Sequence, residues 1–233
     1  NVSFYKAVQS NLPGIISDEL NMDQFLAGLR PALSVHARHT IGMLDPIRGN
    51  LSSIQDGLPE TLSEVITAYG HKYFKIKICG NLEKDMERLI EIAGLLDERE
   101  TKYSVTLDGN EQFDDVSNIS ELLDRIAGNP RLNRFNESIL FIEQPISRSV
   151  ALEVDVTKLG ARKPVIMDES DDLLDSFPKG RELGYQGVSS KSCKGIYKSI
   201  LNRGRCAHWG QNFFMSAEDL TTQAGLSVQQ DMA

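Results

Sequence analysis

The strongest constraint on the fold of this chain is one form that recurs along it. A short apolar run ends in a charged residue at Lys77, Asp108, Glu143, Asp168 and Lys191, and Glu218 closes a further run. Successive members lie 31, 35, 25, 23 and 27 residues apart. Each step has room for one strand, one helix and their connections, which is the interval of a parallel sheet with right-handed crossovers. The run at 139–142 is apolar throughout, as expected of a strand covered on both faces. Pro145 cannot donate to a ladder, so that strand must stop just after delivering Glu143.

Charged residues always at the carboxyl end favour a (β/α)8-type barrel, a modified TIM barrel, which gathers them in one mouth. A doubly wound sheet would scatter them about a switch point, and the chain has no GxGxxG turn. Seven strands can be counted. The first is at 39–44 and the seventh at 213–217, and an eighth is not evident. A barrel lacking one strand has two raw edges. The chain also begins at Asn1 rather than Met, so it is read as a portion of a longer protein. Residues 1–37 carry helical spacing around Phe25, Leu26 and Leu29, and residues 38–233 form the incomplete barrel.

Between the strands, Thr61 and Glu64 have capping-box spacing before a helix at 62–68. Residues 82–96 show the clearest helical stripe, with Leu82, Met86, Leu89, Ile90, Ala93 and Leu96 on one face. Asn118 and Glu121 resemble a second capping box, opening a helix that closes near Gly128. Residues 129–137 read as a polar insertion. Helices are expected at 151–158, around Leu173, at 196–201 and at 221–232.

The net charge of −8 argues against nucleic acid or an anionic membrane surface as a partner. No apolar run reaches the ~18 residues of a membrane span. Cys79, Cys193 and Cys206 form no CxxC pair, which points to reduced thiols and a cytoplasmic setting. Cys193 reads as a packing residue.

Three carboxylates, Asp108, Glu143 and Asp168, converge in a barrel mouth, and they repel one another unless a cation is present. Oxygen ligands without His or Cys select a hard ion, with Mg2+ the first choice. The competing reading is that each aspartate caps the helix that follows. Lys75 and Lys77 are two apart on one strand and face the same side. Facing inward they are buried cations, and beside a divalent metal their pKa is expected to be depressed toward that of a usable base. An edge strand with exposed lysines is the alternative. Glu169 adjoins Asp168 and competes for the ligand role. Asn110 and Gln144 could hold the ligands in place. Glu218 is read equally as a site residue or as surface charge, and Lys194 as a surface lysine.

Taken in order, Lys75-x-Lys77, Asp108-x-Asn110, Glu143-Gln144-Pro145, Asp168-Glu169-Ser170 and Lys191 resemble the motifs of the enolase superfamily, in its muconate-lactonizing-enzyme-like branch. The resemblance covers roughly residues 39–233 and makes residues 1–37 the tail of a capping domain. It implies an Mg2+-dependent enzyme that removes the α-proton of a small carboxylate through an enediolate. That enzyme would be a racemase, epimerase, cycloisomerase or syn-elimination enzyme, and a homo-oligomer. Among the motif residues the resemblance favours Asp168 over Glu169 as ligand. It assigns the base role to Lys77 and an electrostatic role to Lys75, and it places Lys191 across the mouth. The His-Asp dyad of the mandelate-racemase branch is not visible. A sugar-acid dehydratase and a barrel that binds without turnover are the other readings.

Overall fold

The computed structural model describes residue 2 and residues 4–10, 20–30, 32–49, 54, 56–99 and 101–218. Seven parallel strands lie in chain order in one sheet: β1 (Arg38–Ile41), β2 (Tyr73–Lys77), β3 (Ser104–Asp108), β4 (Ile139–Glu143), β5 (Val165–Met167), β6 (Gly187–Ser190) and β7 (Phe214–Ala217). Every neighbouring pair is parallel. This is the arrangement of an incomplete (β/α) barrel, as the recurrence predicts.

The sheet curls, and its inner face meets itself. Phe141 of β4 and Phe214 of β7 have ring centroids 5.4 Å apart. The Arg38 guanidinium of β1 lies 5.5 Å from the Phe141 ring centre and donates to Thr106 Oγ1 of β3 at 3.1 Å. Contacts between strands so far apart in the sheet order require strong curvature. Side chains of the opposite parity, such as Phe74 and Ile76, are 1% and 0% exposed and pack under the helices. Strands β3, β5 and β6 are therefore covered on both faces, while the edge strands β1 and β7 and Leu140 of β4 keep exposed positions.

The helices are α1 (Phe4–Ser10), α2 (Met22–Gly28), α3 (Leu62–Tyr69), α4 (Leu82–Asp97), α5 (Val116–Gly128), α6 (Asn133–Ser138), α7 (Thr157–Gly160), α8 (Ser176–Glu182) and α9 (Ile196–Trp209). The α3 capping box is formed: Thr61 Oγ1 accepts from Glu64 N, and Glu64 accepts from Thr61 N. Helix α4 buries Leu89, Ile92, Ala93, Leu95 and Leu96 against the sheet. Helix α2 sets Met22 and Leu26 against Leu201 of α9 in a small separate core.

Several local expectations are corrected. Helix α5 begins three residues before the expected start, because the Asp115 carboxylate accepts from both Ser117 N and Asn118 N and takes over as cap. The polar stretch at 129–137 is more ordered than its composition suggests: a 3-10 turn (Pro130–Leu132) and α6 bury Leu132 and Phe135 completely. The helix expected at 151–158 shrinks to α7. The one expected around Leu173 starts at Ser176 and leaves Leu173 and Leu174 exposed. The helix expected at 221–232 lies outside the described residues. No helix among the described residues is long and apolar enough to cross a membrane.

Candidate active site

Strand register lines up the first three charged ends, since Lys77 pairs with Asp108 and Asp108 with Glu143. The turns after β3 and β4 then hold the mouth together. Gly109 lies so close to the next strand that a Cβ there would be 2.7 Å from Pro145 Cα. Asn110, Glu111 and Gln144 adopt positive φ of 39°, 68° and 34°, a conformation that non-glycine residues rarely take. Such strain persists only where surrounding bonds over-determine it. Gln144 shows those bonds. Its side-chain oxygen accepts from Asp168 N (2.8 Å) and Ser170 N (3.1 Å), and its amide donates to Ile146 O (2.7 Å) and Ser170 Oγ (2.6 Å). The end of β4 is thereby tied to the end of β5.

Two lysine–carboxylate clusters fill the mouth. Lys75, only 1% exposed, sits among Asp108 Oδ2 (2.9 Å), Glu143 Oε1 (3.1 Å) and Glu218 Oε1 (3.0 Å). Lys77 is on the same side, nearer solvent, and donates to Asp108 Oδ2 (2.6 Å) and Asn110 Oδ1 (2.5 Å). Across the mouth, Lys191 donates to Asp168 Oδ2 at 2.6 Å and lies 3.0 Å from Glu218 Oε2. Asn110 Nδ2 donates to Glu169 Oε1 at 3.1 Å, linking the β3 and β5 turns.

Glu218 is thus in the site, bridging Lys75 and Lys191, and is not a stray surface charge. Lys194 is corrected in the same sense. A 3-10 turn (Ser192–Lys194) follows β6, and Lys194 N donates to Lys191 O. The turn folds the Lys194 side chain back over the mouth, where Nζ donates to Asp168 Oδ1 and Asp168 O, both at 2.5 Å. Its three-residue spacing from Lys191 was the available signal. Cys193, in the same turn, is exposed rather than packed.

Burial by itself would lower the Lys75 pKa, but the charges of Glu143, Asp108 and Glu218 outweigh it and raise the pKa above its ordinary value. Lys191 is likewise raised by Asp168 and Glu218 against the effect of burial. These ammonium groups sit among carboxylates that they neutralise, whereas the expected depression was the one beside a divalent cation. Burial pushes the Glu143 carboxyl upward, with Asp108, Glu218 and Asp168 pushing the same way and Lys75 opposing. Burial also works against the Glu218 charge, yet Lys75 and Lys191 hold its pKa at about 2.

One carboxylate oxygen each from Glu143, Asp168 and Glu218 lie within 4.8 Å of one another. Asp108, on the neighbouring strand, turns Oδ2 to Lys75 and Lys77. Glu143 Oε2 is buried with no hydrogen-bond partner, as is Glu169 Oε2. A buried carboxylate oxygen without a partner is costly, and a cation would relieve it. An all-oxygen donor set fits a hard divalent ion.

The fold and the site define a parallel α/β barrel with its charged groups at the carboxyl ends of the strands. Comparison with solved structures shows which barrels the fold is like. The chain is similar to a mandelate racemase/muconate lactonizing enzyme from Roseiflexus sp., with 18% identity over 91% of this chain and 57% of that one, at a TM-score of 0.60. It is similar to the N-succinyl Arg/Lys racemase from Bacillus cereus ATCC 14579, with 17% identity over 84% and 48%, at a TM-score of 0.62. It also resembles muconate lactonizing enzyme from Pseudomonas putida, with 20% identity over 83% and 49%, at a TM-score of 0.53. The chain therefore spans about half the length of these chains. No protein-family model matches the sequence, and no curated protein matches it. In its fold the chain resembles these mandelate racemase/muconate lactonizing proteins, in line with the barrel that its motifs led one to expect.

Proposed function

We propose that this chain forms much of the active-site barrel of an enolase-superfamily enzyme that removes the α-proton of a small carboxylate substrate, as a racemase, epimerase or cycloisomerase. The observation that carries the reading is the placement of Lys77 and Lys191. They reach one carboxylate-lined mouth from strands four places apart in the sheet. A racemising site needs one base on each side of the α-carbon, and a cycloisomerase needs one base with the other lysine supplying charge.

In this reading Lys77 and Lys191 exchange the proton with the substrate. Lys75, too buried to reach a substrate freely, holds the carboxylate set together and balances its charge. Asp108, Glu143 and Asp168 are the proposed holders of Mg2+, with Glu218 close enough to Glu143 and Asp168 to join them. The chemistry that a bound Mg2+ supplies is positive charge, against which a substrate carboxylate can bind and its developing negative charge be stabilised. Asn110, Gln144 and Glu169 position the charged groups from behind. Residues 1–37 are proposed as the tail of a capping domain. The three free thiols support a reducing, cytoplasmic setting.

The test is α-proton exchange into D2O, followed by NMR, with the full-length protein, Mg2+ and a panel of small carboxylates. Lys77→Ala and Lys191→Ala should each lose at least ~10²-fold in exchange, the lower end for a positioned general base. With a racemising substrate, the two variants should spare opposite enantiomers. Near-normal exchange of both enantiomers in both variants would refute the assignment.

A further inference from the structure

Behind the mouth lies a buried polar cluster that proton transfer does not use. Lys198, Asn202 and Arg205 form a stripe on α9 at i, i+4 and i+7, and they face the segment between β5 and α8. All three are buried, as is Asp171 in that segment. Lys198 Nζ donates to Asp171 O and lies 3.3 Å from Asp171 Oδ2. Asn202 Nδ2 donates to the same carboxylate at 3.3 Å. Arg205 Nη1 donates to Leu174 O (2.6 Å) and to Asn202 Oδ1 (2.9 Å).

The cluster joins two parts of the site. Asp171 N donates to Asp168 O at 3.0 Å, so the gripped segment is the one that carries Asp168. The gripping helix follows directly on the turn that carries Lys191 and Lys194. Burying an ion pair is often no more stabilising than packing apolar groups in its place. The same helix uses apolar packing elsewhere, where Leu201 meets Met22 and Leu26. Charge-assisted bonds to a carboxylate and to backbone carbonyls fix distance and direction, which an apolar contact leaves free to slide.

We infer that Asp171, Lys198, Asn202 and Arg205 form a clamp that fixes Asp168 relative to Lys191, acting as positioning residues for the mouth. The inference rests on the proposed role of that mouth. Lys198→Met alone should destabilise the fold, because it strands the Asp171 charge. The double variant D171N/K198M removes both charges, and its stability should return toward wild type without restoring the clamp. Amide hydrogen exchange, measured by mass spectrometry on the full-length protein, should then be ~10-fold faster in residues 168–175 and 190–195. Its affinity for Mn2+, followed by the electron paramagnetic resonance of the free ion, should fall by ~10–100-fold.

Unchanged exchange in either segment, or unchanged Mn2+ affinity, would overturn the clamp. A wild-type protein that does not bind Mn2+ would instead refute the metal reading of the mouth, and amide exchange alone would then decide the clamp. Asn202→Ala, which cuts bonds at the centre of the cluster without touching a charge, should move both readouts in the same direction. It serves as the deciding variant if the double variant does not fold.

Discussion

Gln144 makes a sharp quantitative test, because one buried side chain satisfies several groups at once. Gln144→Leu keeps the bulk and removes all four of its hydrogen bonds. The Ser170 hydroxyl can rotate to another partner. Asp168 N, Ser170 N and Ile146 O cannot, and their residues are 1%, 3% and 0% exposed. At the low end of ~1–3 kcal/mol for each buried group left unsatisfied, with some relaxation of the turns, the variant should lose about 3–5 kcal/mol. That is a large fraction of the ~5–15 kcal/mol typical of a folded domain. Urea unfolding should show a lower midpoint with an unchanged slope. Gln144→Glu can still accept from both N–H groups but, once ionised, cannot donate to Ile146 O, so it should fall between wild type and Gln144→Leu. A loss below about 1 kcal/mol for Gln144→Leu would mean that these groups find other partners, and the argument that Gln144 ties β4 to β5 would fail.

Two further outcomes are expected. Lys75→Met strips the buried carboxylates Asp108 and Glu143 of their shared counter-ion, which should cost ~3–5 kcal/mol in urea unfolding, and less with saturating Mg2+ present. Arg148 donates to Glu111 through Nε and Nη2 and, with its other hydrogen bonds, holds that carboxyl below its ordinary pKa of 4.5. A depressed carboxylate pKa stabilises the fold above the unfolded value, and that contribution disappears as the pH falls through the folded value. The thermal stability gap between wild type and Arg148→Met should therefore narrow on acidification below 4.5, and a gap that widens there would contradict the pairing.

How far the chain could be read in advance follows from where each signal resides. A strand buried on both faces must be apolar along its own length, so 139–142 and the regular steps between charged ends announced a parallel barrel before any contact was known. A capping box is equally local, and Thr61 with Glu64 formed as read. The Asn118 box failed because Asp115, three residues earlier, caps Ser117 N and Asn118 N and so starts the helix before Asn118 can serve as its cap. Residues 129–137 looked polar, but two residues among them, Leu132 and Phe135, are buried completely in the tertiary core.

The site divides along the same line. Which residue types stand at the strand ends was determined by the sequence, and with it the carboxylate-and-lysine chemistry. Which of them touch was decided by the curl of the sheet. Lys75 meets Glu218 across 143 residues of chain, and Gln144 meets Asp168 across 24. Lys194 points inward because a 3-10 turn after β6 reverses it, and Asp171 and Lys198 become a buried pair because α9 packs over the β5 turn. Local propensity and apolar spacing act over a few residues, and a chain carries them on its face. The partners of a buried charge depend on curvature and packing, which exist only once the whole barrel wall has formed.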